Sequence, residues 1–131
     1  MPAVEMVDAE LFMVQHVQGL IGSVSALSGL RVGTKVQAGL TPRMFVQVRK
    51  IGGDEVQRVA ERPRIDLRVW GDNQPGGDHH RMQLTRTLLA HIRRDLGCRV
   101  MAVPVNLPDP ADPTIQHTLM TIEPILRGVQ L

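Results

Sequence analysis

The stretch Ile65-Asp66-Leu67-Arg68-Val69-Trp70 alternates without a break between aliphatic side chains and polar or aromatic ones. On extended backbone a period of two sends alternate side chains to opposite faces, so Ile65, Leu67 and Val69 share one face and Asp66, Arg68 and Trp70 the other. The same pattern stands upstream, where Met44, Val46 and Val48 alternate with Phe45, Gln47 and Arg49. Two such runs close together predict an antiparallel sheet with one greasy and one charged face. Between them, Gly52-Gly53-Asp54 has the composition of a hairpin turn, and Glu55 to Ala60 forms a further run in which Val56 alternates with Arg58. Pro63 is then expected to mark the entry into the next strand, and Arg31 to Gln37 shows a weaker alternation before it all.

Outside these strands the spacing changes to three and four. Leu11, Val14, Val17, Leu20, Ile21 and Val24 predict an amphipathic helix from Asp8 to about Leu27, with Asp8 as its N-cap. Gly71 to Gly77 is a loop by composition. Asp78 is placed to cap a second helix, whose Leu84, Leu88, Ile92 and Leu96 stand four apart and which Gly97 closes. Arg93 and Arg94 in its last turn complement the negative end of the helix dipole. Val100 to Val105 and Ile115 to Ile122 predict two more strands, joined by the proline-dense loop Leu107 to Pro113. Helix, two or three strands, helix and two strands make an α+β fold, with two helices on one face of an antiparallel or mixed sheet. The 131 residues suffice for a single domain, residues 1 to 131, with its own core.

Composition narrows the function. Hydrophobic residues are 43% and charged residues 21%, the balance of an ordinary globular chain. No apolar run has the length of a membrane span, and Pro2, Glu5 and Asp8 do not fit a signal peptide, so no membrane association is expected. The formal charge is +2, with 15 cations and 13 anions interleaved along the chain, which argues against a nucleic-acid electrostatic footprint. The single Cys98 precedes an apolar stretch and reads as a buried, inert thiol.

No catalytic constellation stands out. Asp78-His79-His80 is the most tempting metal cluster, but on a helix the two imidazoles point about 100° apart, with no i, i+4 pair. Neither lysine, Lys35 or Lys50, follows a glutamate at the spacing of a metal-dependent nuclease, so a small nuclease is the weakest reading. No serine lies in a Gly-x-Ser-x-Gly elbow, and neither glycine pair opens a phosphate-binding loop. We therefore expect no enzyme activity, no catalytic residue, no metal and no cofactor. What remains is the open face of the sheet. Phe45, Gln47, Arg49, Arg68 and Trp70 are expected there as oligomer or partner contacts, with Pro108, Asp109 and Pro110 at the margin.

The segments Phe45-Val46-Gln47-Val48-Arg49-Lys50-Ile51-Gly52-Gly53, Arg62-Pro63-Arg64-Ile65-Asp66-Leu67-Arg68-Val69 and Val103-Pro104-Val105 with Leu107-Pro108-Asp109-Pro110 follow one another in the order found in tail terminators. Over residues 8 to 128 the chain resembles this family of tail completion, or minor tail, proteins of long, non-contractile-tailed bacteriophages. The resemblance implies a small α+β subunit that forms a homo-oligomeric ring, six-fold in the family, on the tail tube. The ring ends tube polymerisation and offers a docking surface to the head-tail connector protein. It also implies a virion protein at the head-proximal end of the tail, assembled in the host cytoplasm, with DNA passing through the lumen without specific binding. Another ring-forming neck or connector protein is the alternative. Gln74-Pro75-Gly76-Gly77 departs from the family pattern.

Overall fold

In the computed structural model the described residues are 4–5, 8–35, 44–57, 60–71, 75–111 and 114–130, without the side chains of 4, 54–57 and 129–130. In chain order the elements are β1 (Val4–Glu5), α1 (Ala9–Ser23), a 3-10 turn (Ser25–Leu27), β2 (Arg31–Gly33), β3 (Phe45–Gln57), β4 (Ala60–Trp70) and α2 (Gly77–Asp95). They continue with β5 (Cys98–Pro108), β6 (Gln116–Pro124), β7 (Leu126–Arg127) and β8 (Val129–Gln130). The main sheet has six strands in the order β2-β3-β4-β6-β5, with β7 pairing the start of β4 on the side where β6 pairs its end. All of its pairs are antiparallel except β2 with β3, which is parallel, and β1 and β8 form a separate antiparallel pair. The fold is α+β with a mixed sheet.

Both helices lie on one face of the sheet, α1 against β2 and β3 and α2 against β4, β6 and β5. Val46, Val48, Ile65, Leu67 and Val69 are fully buried there with Met120 and Ile122 of β6, beneath Leu88 and Ile92 of α2 and Met13 and Val17 of α1. The period-two reading of both strands is thus the observed core face, and Leu84 joins it from α2 as expected. Asp8 caps α1, its carboxylate accepting from the Leu11 amide at 3.1 Å.

Several expectations are corrected. Gly52-Gly53 is not a turn: β3 runs through it to Gln57 and pairs antiparallel with β4 along its length, while Arg58 and Val59 lie outside the described residues. Ile51 is an extra, bulged residue between the paired Lys50 and Gly52, and the following glycines take φ +155° and +135° to carry the strand past the bulge. Pro63 lies inside β4 opposite Gly53 rather than at a strand entry. Asp78 is not the cap of α2. Gly76, in the left-handed region at φ +88°, occupies that position, while Asp78 sits in the first turn and pairs with Arg81. Leu11 is 53% exposed, and Ala9 and Met13 take the buried places, because the stripe facing the sheet is rotated from the one Leu11 and Val14 define. The strands after α2 are longer than expected, Leu107 and Pro108 belonging to β5. Asp72, Asn73, Gln74, Asp112 and Pro113 of the two expected loops, and Val36 and Gln37 of the weak strand, lie outside the described residues.

Candidate functional site

The face of the sheet opposite the helices is the surface on which the expected contact residues converge. Pairing Phe45 with Trp70, Gln47 with Arg68 and Arg49 with Asp66 places them side by side on β3 and β4, and β6 adds His117, Leu119, Thr121 and Glu123 through Trp70↔His117, Arg68↔Leu119 and Asp66↔Thr121. Leu107 of β5 pairs with His117, so Pro108, Asp109 and Pro110 stand at the margin nearest Trp70. All eight expected residues therefore belong to this face or its rim.

The face is less open than the alternation implies. Phe45 is buried, at 8% exposure, and is corrected from an exposed anchor to a packed residue: a Cβ on Gly33 of the adjoining β2 would meet its ring at 3.1 Å, so the ring lies across a strand that has no side chain at that point. Trp70 is half-buried. Its indole stacks on the His117 imidazole with centroids 4.3 Å apart, and its Nε1 donates to Gln47 Oε1 at 3.2 Å. The Gln47 amide in turn donates to the Thr34 carbonyl at 3.4 Å, so a line of contacts crosses β6, β4 and β3 to the end of β2. Arg68 and Arg49 keep about a third and a half of their side chains exposed, at 36% and 52%, Arg49 standing 3.7 Å from the Glu10 carboxylate of α1. Arg68 stands 3.7 Å from Asp66, which is buried and accepts from the Thr121 hydroxyl at 2.7 Å. Asp109 is used locally, its carboxylate accepting from the Ala111 amide at 3.0 Å, while Pro108 and Pro110 are exposed.

Three groups escape the sequence reading. Buried Glu123 holds both Arg64, at 3.0 Å, and Arg99, at 3.5 Å, so the end of the face away from Trp70 has two guanidiniums on one carboxylate. Arg81 is fully buried at the start of α2, donating to the Gly71 carbonyl at 2.8 Å and pairing with Asp78. The i, i+3 spacing of Asp78 and Arg81 is the only local sign of it. His117 is almost wholly buried with neither ring nitrogen hydrogen-bonded. Burial pushes its imidazole below the ordinary histidine value, Arg68 and Arg81 push the same way, and Asp109 opposes them. The Cys98 thiol at the start of β5 is half-buried rather than buried as expected, and burial pushes it up while Arg93 opposes.

Neutral His117 makes the stability of the fold depend on pH. The unfolded chain takes up a proton near pH ~6.5 while the folded chain still resists it. The contribution of neutral His117 is therefore complete above that pH and is lost as pH falls towards the folded value. Urea midpoints should drop between about pH 7.5 and 5.5, and the His117→Gln variant should drop less steeply. Equal slopes in the two proteins would show that His117 is not the group responsible.

Among the described residues no group of three or more His, Cys, Asp or Glu is placed to hold a metal ion, and no helix is long and apolar enough to cross a membrane. His79 and His80 are exposed at the start of α2, and His91 lies further along the same helix. This face presents cations, a stacked indole and hydrogen-bonding groups on paired strands. Neither a scan against protein-family models nor a search of curated proteins returns a match to this chain.

Proposed function

We propose that this chain is a ring-forming structural subunit that caps the head-proximal end of a non-contractile phage tail tube and presents a docking surface to the head-tail connector. The observation that carries the reading is the one-sided sheet. Both helices cover one face, and the other holds Arg49, Arg68 and the tethered Trp70 on paired strands, with exposed Pro108 and Pro110 at its margin. Arg and Trp are residue types that anchor protein interfaces, and a rigid anchor loses little conformational entropy on docking. In this reading a ring of subunits seats the open face on an axial neighbour, and its opposite surface does not match another tube subunit. The stack then ends by geometry, without chemistry. DNA passes through the lumen without a specific contact.

The test uses Trp70→Ala and Arg49→Glu made separately, each first checked by circular dichroism for an intact fold. Added to purified tail tubes, each variant should need roughly thirtyfold more protein than wild type to cap, the equivalent of about 2 kcal/mol at a hot spot. Variants that cap at the wild-type concentration would remove this face from the interface. Wild-type protein that leaves tube growth unchanged would remove the tail-terminator reading.

A further inference from the structure

The end of the open face away from Trp70 holds a row of three charged side chains on three strands. Glu123 of β6 pairs across the sheet with Arg99 of β5, and Arg64 reaches the same carboxylate from β4. Arg64 directs Nε and an Nη at Oε2, at 3.1 and 3.0 Å, while Arg99 brings one Nη to 3.5 Å from Oε1. Neither arginine forms an ion pair with a second acid among the described residues. Two guanidiniums on one carboxylate therefore leave the row with one positive charge in surplus.

The row presents its cations and hides its anion. The Glu123 side chain is 3% exposed, whereas those of Arg64 and Arg99 are 44% and 61% exposed, so a partner meets guanidinium groups with the carboxylate beneath them. Each guanidinium has five N–H donors in a fixed fork, and Glu123 engages only two nitrogens of Arg64 and one of Arg99. Because that buried carboxylate already holds both side chains, much of the entropy an arginine loses on capture has been lost on folding. On β3 the residue opposite Arg64 is Gly52, and nothing lies within 4 Å of the point its Cβ would take, so Arg64 is open to approach from that side. Next on the same face of β4 stands Arg62, opposite Asp54, with a buried Nε that has no hydrogen-bond partner among the described residues.

We infer that the Arg64–Glu123–Arg99 row is a carboxylate-binding site, which takes one acidic side chain of the protein that docks on the open face. A surplus of one charge matches a single carboxylate, and a planar carboxylate suits the forked N–H groups of arginine. A nucleic-acid backbone asks instead for a run of uncompensated cations, and the adjoining row interrupts any such run: Asp66 lies there opposite Arg49, which itself stands by Glu10. At about 3.3 Å per residue the row lies about 20 Å along β4 from Trp70, so the partner carries its acid that far from its contact with the indole. The inference rests on the proposed docking role of this face and names the partner's chemistry at the end away from Trp70.

The experiment titrates the full chain into a fluorescein-labelled hexaglutamate peptide and follows the anisotropy of the label, with the fold of each variant checked by thermal melts. Wild type should bind the peptide, and raising salt from about 0.05 to about 0.5 M should weaken the binding. Arg64→Gln and Arg99→Gln should each weaken it about threefold to fivefold, the scale of one exposed ion pair, and the double variant should abolish it. Arg86→Gln, on the exposed side of α2, should bind as wild type does. Wild type that ignores the peptide, or a double variant that binds it undiminished, overturns the site. A labelled ten-thymidine oligonucleotide that binds more tightly than the peptide, and is lost in the double variant, makes the anion a phosphodiester and overturns the carboxylate assignment. These readings need no tail tube, so they judge the site apart from the capping test, which judges the proposed role of the subunit. A double variant that loses the peptide yet caps tubes at the wild-type concentration shows that the docked partner does not use the row, and overturns the inference while the capping role stands.

Discussion

Gly53→Ala should cost about 3 kcal/mol or more in urea melts. Two penalties coincide at this position. Its φ of +135° lies where residues with a Cβ are strained, which alone costs on the order of 1–3 kcal/mol. The added carbon would also sit 2.5 Å from the Arg62 carbonyl oxygen and from the Pro63 Cα, both main-chain atoms that yield only if the hairpin yields. Gly52 is the internal control, since it too has a positive φ, of +155°, but nothing lies within 4 Å of the point its methyl would occupy. Gly52→Ala should therefore be clearly milder, and equal losses at the two glycines would show that the close approach of β4 at Gly53 is not what the site depends on.

Leu67→Ala should cost about 2–5 kcal/mol, the range for deleting a large aliphatic side chain in a core that only partly collapses around the gap. Leu67 is fully buried midway between its cross-strand partners Val48 and Met120, themselves fully buried, in a central strand flanked on both sides by pairing. It can shift towards neither neighbour without breaking a ladder. A denaturant series giving less than about 0.5 kcal/mol would mean that the face pairing Val48, Leu67 and Met120 is not the core.

Legibility of this chain follows the range of the interactions involved. The core face of β3 and β4 is readable because a strand's period is a local property, and one residue of slip would invert every side chain from Val46 to Val69. The N-cap at Asp8 is readable for the same reason. Gly52-Gly53 misleads because glycine pairs serve tight turns and bulged strands alike. What decides between them is Pro63, ten residues on, packed against Gly53. Asp78 misleads because its carboxylate suits a cap, but it is engaged with Arg81, and the left-handed Gly76 two residues before it takes the N-cap position without a side-chain cap. In the candidate site, the residues sharing a face are legible and their exposure is not. Phe45 is covered because Gly33 lies beside it on a parallel strand, and Trp70 is tethered because His117, 47 positions further along, arrives beneath it. Both partners are chosen by topology, which periodicity does not encode.

The indole–imidazole stack also gives the molecule an optical property. The chain has one tryptophan and no tyrosine, so its near-ultraviolet emission comes from Trp70 alone, at the face assigned to recognition. A neutral imidazole in van der Waals contact with an indole quenches it weakly, and a protonated one quenches it strongly by accepting charge from the excited ring. The protein therefore carries its own label. Emission intensity followed against pH reads the ionisation of His117, and emission wavelength followed against added partner reads the drying of the open face, with no dye attached.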